Sequence, residues 1–138
     1  MNGDRGWPAP GGPGPALLAE TDAREALTVS AANALARELL ETTLPPLWVE
    51  GEVTDWRRYP SGHCYFTLRD AAAQLRCVMF RADAARLPTD PEEGMQVRAL
   101  GTLTIYERRG DFQLVARALE AVAPGGLWRL AFERLRAR

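Results

Sequence analysis

The stretch from His63 to Phe80 alternates polar and apolar residues, a pattern that is typical of two paired β-strands. Successive side chains of a strand point to opposite faces, so the apolar residues form one row and the others form a second. The predicted inner row is Cys64, Phe66, Leu68, Leu75, Cys77 and Met79. The predicted outer row is His63, Tyr65, Thr67, Arg69, Gln74, Arg76, Val78 and Phe80. The rings and guanidinium groups of this outer row could stack on bases and contact phosphates, although the same residues also suit a half-exposed sheet.

Matching the two apolar rows fixes the register of this hairpin. The expected outer pairs are Arg69 with Gln74, Thr67 with Arg76, Tyr65 with Val78, and His63 with Phe80. Two other segments place an arginine pair next to aromatic residues, Trp56-Arg57-Arg58-Tyr59 and Tyr106-Glu107-Arg108-Arg109. If both segments flank the outer face, they extend its stacking and phosphate-binding capacity.

Metal and nucleophile chemistry are not indicated by the sequence. His63 and Cys64 are adjacent in a strand and point to opposite faces, so they are not expected to share an ion. Cys64 and Cys77 are expected in the core as diagonal, reduced thiols. No Ser or Cys has a plausible base partner. We therefore expect no metal site, no catalytic group and no cofactor in this chain.

The order of predicted elements identifies the fold class. A helix is expected over residues 27–43, capped by Thr28 or Ser30 and stopped by Pro45 and Pro46. Five strands are expected over residues 47–57, 63–70, 74–80, 95–107 and 111–122, and a short helix over residues 81–87. A helix between the third and fourth of five strands is the order of an OB barrel, a mainly β fold. In that order the 1–2 and 4–5 loops flank the binding face.

The two ends of the chain have a different composition. Residues 1–26 are rich in Gly and Pro without an apolar period, so we expect a disordered leader before the helix at 27–43 and the barrel at 44–123. Residues 124–138 are expected to begin a helix that leads toward another domain. No apolar run is long enough to span a membrane, and the N-terminus lacks a signal peptide, so a cytoplasmic location is expected. The net charge of -1 argues against a strongly basic nucleic-acid binder.

Several blocks of sequence resemble one known family. They are LTVS at 27–30, LPPLWVEGEV at 44–53, SGHCYFTLRD at 61–70, RCVMFR at 76–81, GMQV at 94–97 and YERRGDFQL at 106–114. In this order they resemble the N-terminal part of the exodeoxyribonuclease VII large-subunit family, from about Leu27 to Arg138. The Gly/Pro leader and the Ala-rich helix depart from the family's pattern.

The resemblance implies an OB domain that presents single-stranded DNA to a separate nuclease domain, in an assembly with small subunits. It implies that the cutting residues are absent here. The candidate nucleic-acid-binding residues are Trp56, Arg57, Arg58, Tyr59, His63, Tyr65, Thr67, Arg69, Arg76, Phe80, Tyr106, Arg108 and Arg109.

Besides an enzyme built on an unrecognised acid cluster, two alternatives to DNA binding remain at this point. The tract YFTLRD at 65–70 is also similar to anticodon-binding barrels of class II aminoacyl-tRNA synthetases, where an aromatic residue in the Tyr65 position stacks on a base. That resemblance supports an outward Tyr65 and equally suits an RNA-binding barrel. A protein-interaction barrel, in which the same aromatic residues form a binding hot spot, is the second alternative.

Overall fold

A computed structural model describes residues 25–122 and contains five strands in one closed barrel. The strands are β1 Leu47–Arg58, β2 Cys64–Arg69, β3 Gln74–Met79, β4 Gln96–Tyr106 and β5 Asp111–Ala121. Around the barrel they follow the order β1, β2, β3, β5, β4, with β4 closing on β1. The β3–β5 contact is parallel and the other contacts are antiparallel. The expected five-stranded OB barrel is confirmed. The leader over residues 1–26 lies almost entirely outside the described residues, and the helix over 124–138 lies wholly outside them.

Two helices accompany the barrel. Helix α1, Val29–Thr43, begins at Thr28, whose Oγ1 accepts a hydrogen bond from the Ala31 N–H at 3.0 Å. It packs against β4 and ends just before Pro45. Helix α2, Arg81–Ala84, is the short helix between β3 and β4, and its Ala84 side chain is part of the core. The short helix therefore begins at the predicted residue, 81, but it ends at Ala84 and not at the predicted residue 87.

The inner row of the barrel forms the core, as alternation predicts. Val53, Cys64, Phe66, Leu68, Cys77, Met79, Val97, Ala99 and Leu114 are buried there. Phe66 faces Cys77 and Cys64 faces Met79, so the two cysteines are diagonal neighbours and both are free thiols. Burial raises the pKa of both thiols, that of Cys77 to about 12, so both are protonated at neutral pH.

A β-bulge in β1 changes which side chains face the core. Thr54 pairs with Thr67 and Arg57 pairs with Tyr65, so three steps on β1 oppose two on β2. The extra residue is Asp55, which has φ 60°. Beyond the bulge the alternation is shifted by one residue. Trp56 consequently turns inward, and Arg57 turns outward.

Candidate nucleic-acid interface

The outer face of β2 and β3 has the register that the sequence predicts. Tyr65 faces Val78, Thr67 faces Arg76 and Arg69 faces Gln74. Tyr65 and Phe80 are exposed. Val78 points outward as predicted, but it is buried rather than exposed, with 2% of its surface accessible. β3 is paired on both sides, so Val78 has Tyr65 of β2 as its neighbour on one side and Val115 of β5 on the other.

An open groove of about 470 Å³ runs across this outer face. Five aromatic residues line it, of which Phe66 belongs to the core and four are exposed: Tyr59 from the β1–β2 loop, Tyr65 from β2, Phe80 after β3, and Tyr106 at the end of β4. Each of the four rings is between 42% and 49% exposed. The groove therefore presents accessible ring faces contributed by four different parts of the chain, a surface on which successive bases can stack.

Three arginines and one threonine of the candidate set also line the groove. Arg57, Arg76, Arg109 and Thr67 are among its lining residues. Arg76 forms no ion pair with any residue of the described part of the chain, so its guanidinium group is available to a ligand. In total, eight of the 13 candidates surround one groove: Arg57, Tyr59, Tyr65, Thr67, Arg76, Phe80, Tyr106 and Arg109.

Trp56 is placed on the opposite side of the sheet from the groove. Its ring packs against Phe66 in the core, with the ring centroids 4.8 Å apart and an interplanar angle of 33°. Its buried indole Nε1 has no hydrogen-bond partner among the described residues. The expectation of Trp56 as an outward stacking residue, which rested on its position next to Arg57 and Arg58, does not fit this geometry, because the bulge at Asp55 turns its ring inward.

Three candidate arginines also lie outside the groove. Arg58 donates to Asp90 Oδ1 from Nε at 3.0 Å, and this hydrogen bond raises the pKa of the Arg58 guanidinium. Arg69 contacts Glu52 at 3.3 Å near the far end of β2. Arg108 is exposed in the β4–β5 turn and does not line the groove. These residues are not brought together with the aromatic set.

His63 supports the groove indirectly. Its Nδ1 accepts a hydrogen bond from the Arg81 N–H at 2.9 Å, and its ring meets Phe80 edge to face with centroids 5.4 Å apart. Both contacts fix the segment where β3 passes into α2. His63 therefore positions Phe80 rather than lining the groove itself.

Three polar residues of the groove were missed by the sequence analysis. Asp55, Asp111 and Gln113 are also among its lining residues. Asp55 enters through the bulge, and the other two enter because β5 pairs in parallel with β3, where Arg76 faces Gln113. Neither feature follows from alternation within one hairpin.

Within residues 25–122, no group of three or more His, Cys, Asp or Glu side chains is arranged to hold a metal ion. No helix in the same range is long and apolar enough to cross a membrane.

Comparison with known families identifies the domain type. Residues 27–120 match the model of a family described as OB-fold nucleic acid binding domain. The chain belongs to this family. The OB-fold domain thus has its groove on the face formed by strands 2 and 3 and flanked by the 1–2 and 4–5 loops, where OB folds bind oligonucleotides.

Individual relatives are similar over most of this OB-fold domain. The exodeoxyribonuclease 7 large subunit of Nitrosomonas europaea is 53% identical over 110 residues, which cover 80% of this chain and 24% of that protein. The exodeoxyribonuclease 7 large subunit of Xanthomonas oryzae pv. oryzae is 53% identical over 112 residues, which cover 81% of this chain and 25% of that protein. The chain thus spans about a quarter of the length of these relatives. A chain from a structure of a replication protein A heterotrimer bound to ssDNA is 19% identical, with a TM-score of 0.47 and 67% of each chain covered.

Proposed function

We propose that this OB-fold domain binds single-stranded DNA in the groove on its outer face. The observation that carries the proposal is the convergence of four exposed aromatic rings and three arginines on one open groove. Stacking on aromatic rings combined with phosphate contacts is how proteins hold single strands without reading their sequence. Duplex DNA fits less well, because its bases are already stacked on one another and cannot reach the rings.

The proposed contacts divide between two kinds of residue. Tyr59, Tyr65, Phe80 and Tyr106 stack on bases, and Arg57, Arg76 and Arg109 contact phosphates. Thr67 lies next to Arg76 on the paired strand and offers a hydroxyl group to the same ligand. His63 holds Phe80 in place. Trp56, Arg58, Arg69 and Arg108 are outside this contact set.

DNA is favoured over RNA by the relatives. The proteins that are 53% identical are named as large subunits of an exodeoxyribonuclease, an enzyme that acts on DNA. We propose accordingly that this chain serves as the substrate-binding domain of such a large subunit. Hydrolysis and the binding of small subunits are then tasks of other parts of that assembly.

The test is a comparison of three ligands by fluorescence anisotropy. A labelled single-stranded DNA, an RNA of the same sequence and the corresponding DNA duplex are titrated with the protein at two salt concentrations. The proposal expects the tightest binding to single-stranded DNA, weaker binding to RNA and the weakest to duplex, with all three weakened by salt. Tighter binding to RNA would replace the DNA proposal with the RNA-binding alternative. Binding to none of the three would favour the protein-interaction alternative.

A further inference from the structure

The groove is nearly neutral, although its proposed ligand is a polyanion. Three arginines and two aspartates line it, which leaves one positive charge. Arg57 Nη2 lies 3.0 Å from Asp55 Oδ1, and Arg109 Nε lies 3.3 Å from Asp111 Oδ2. Two of the three groove arginines are therefore paired with a groove carboxylate.

The position of Asp55 is built into the backbone of β1. Among the described residues it is the only one other than glycine with a positive φ. Its N–H donates to Glu93 Oε1 at 2.9 Å, which holds the bulge. Since the bulge adds one residue to the strand, it brings a carboxylate to the groove next to Arg57.

Carboxylates in such a groove oppose phosphate binding in two ways. They repel the ligand, and they occupy the guanidinium groups that would contact it. The first ion pair is well exposed, with the Asp55 and Arg57 side chains 65% and 63% accessible; in the second, Arg109 is 69% and Asp111 34% accessible. Exposed ion pairs are weak, so a phosphate can displace the carboxylate at small cost.

We propose that Asp55 and Asp111 act as internal competitors of the DNA phosphates. They neutralise Arg57 and Arg109 while the groove is empty, and Arg76 alone contacts phosphate without first losing a partner. The DNA strand is then held chiefly by stacking of its bases on the aromatic rings. Its affinity is modest, and that affinity depends only weakly on the salt concentration. This inference rests on the proposed function and assigns a regulatory part of it to two residues.

The test removes the negative charges while keeping the shape of each side chain. Asn accepts a positive φ as readily as Asp, so Asp55→Asn leaves the bulge intact. The variants are Asp55→Asn, Asp111→Asn and the double variant, each titrated with labelled oligodeoxythymidylate over a series of salt concentrations. Glu120→Gln is the matched control, because Glu120 pairs with Arg98 at 3.5 Å away from the groove.

Each single variant is expected to bind about threefold more tightly than the wild type, and the double variant about tenfold. The slope of log affinity against log salt should become steeper, by up to about 0.7 for each carboxylate charge that is removed from the groove. Glu120→Gln should match the wild type. Adding Arg57→Ala to Asp55→Asn should abolish the gain.

The inference is overturned if the wild type binds single-stranded DNA and the double variant binds it equally or more weakly. That result would leave the proposed function standing. A loss that is larger for oligodeoxycytidylate than for oligodeoxythymidylate also overturns it, since it would show carboxylates accepting hydrogen bonds from base amino groups. A wild-type protein that binds no single strand would instead refute the proposed function itself.

Discussion

Tyr65 and Phe66 are neighbours in the sequence, but they lie on opposite faces of β2. Phe66 is 4% exposed and packs against Trp56 in the core, whereas Tyr65 is 42% exposed on the outer face, and both border the groove. Tyr65 also lies 5.3 Å from Tyr59, measured between ring centroids. Alternation along the strand is the only sequence signal needed to tell these two roles apart.

Alanine substitutions at these two positions should have opposite effects. Phe66→Ala should cost about 3–5 kcal/mol of unfolding free energy, because it leaves a cavity in the core. Tyr65→Ala should cost about 1 kcal/mol or less of stability and about 1–3 kcal/mol of single-strand binding. Chemical denaturation and anisotropy titration measure the two quantities. An unfolded Tyr65→Ala protein beside a stable Phe66→Ala protein would invert the assignment of faces.

Arg76 is the groove arginine without an ion-pair partner among the described residues, so its contribution to binding should be easiest to isolate. Arg76→Ala should weaken single-strand binding and make the slope of log affinity against log salt shallower by about 0.7. Arg86→Ala is the control, since the Arg86 side chain is 79% exposed and lies outside the groove. An equal change in both slopes would mean that general charge, rather than a contact by Arg76, controls binding.

At the scale of elements, helix α1 is attached to β4 and the turn after it by polar contacts. Asn33 Nδ2 donates to the Glu107 carbonyl oxygen at 2.8 Å, and Arg37 contacts the Glu107 carboxylate at 2.8 Å. Thr104, the one buried polar side chain of the described residues, donates to Glu41 Oε2 at 2.6 Å. None of the side chains of α1 is buried, so these contacts supplement a half-buried apolar face.

The Thr104–Glu41 contact predicts an acid-sensitive attachment of α1. The hydrogen bond from Thr104, followed by that from Arg37, lowers the pKa of the Glu41 carboxyl below its ordinary value of 4.5. Because the pKa of Glu41 is lowered, its carboxylate contributes fully to folding stability above pH 4.5. This contribution is lost as the pH falls through the lower pKa of the folded state. Thr104→Val should cost about 1 kcal/mol at pH 7 and less near pH 3.

Denaturant unfolding of the wild type and Thr104→Val at the two pH values measures this difference. Thr102→Val serves as the control, because no hydrogen bond joins the Thr102 side chain to α1 among the described residues. A cost for Thr104→Val that is the same at both pH values would show that the carboxylate of Glu41 is not the partner that matters.

Regular elements are predictable from the sequence, and irregular ones are not. All five strands end within one residue of the predicted bounds, because runs rich in β-branched and aromatic residues, separated by turn residues, mark them in the sequence. The bulge leaves no such signal, since Asp55 sits between Val53 and Trp56 without a break in composition. Because of the bulge, Asp55 and Arg57 line the groove and Trp56 packs in the core. This explains why the sequence did not predict the position of Trp56.

At the scale of the whole molecule, the groove depends on contacts between strands distant in sequence. The parallel β3–β5 pairing brings Gln113 next to Arg76, and the β4–β5 turn brings Tyr106 and Arg109 to the same face. The β2–β3 half of the groove follows from one hairpin and could be predicted. The β5 half requires the closed barrel, so the positions of Asp111 and Gln113 in the groove could not be predicted.

The whole chain is expected to bind DNA without cutting it. The proposed function assigns hydrolysis to other parts of the assembly. Labelled single-stranded DNA incubated with the purified protein should stay intact with magnesium, with manganese and with a chelator. Cleavage that disappears when one residue of this chain is changed would refute the prediction.

Two pairs of aromatic residues with similar exposure test most directly whether the groove binds the DNA strand. Tyr65 and Tyr106, at 42% and 45%, line the groove, whereas Trp48 and Phe112, at 41% and 48%, do not. In anisotropy titrations with a labelled single-stranded oligonucleotide, Tyr65→Ala/Tyr106→Ala should lose at least about 30-fold in affinity, since each stack is worth about 1–3 kcal/mol. Trp48→Ala/Phe112→Ala should stay within about twofold of the wild type. Equal losses in the two double variants, or a loss confined to the Trp48 and Phe112 pair, would contradict the assignment of the groove as the binding site.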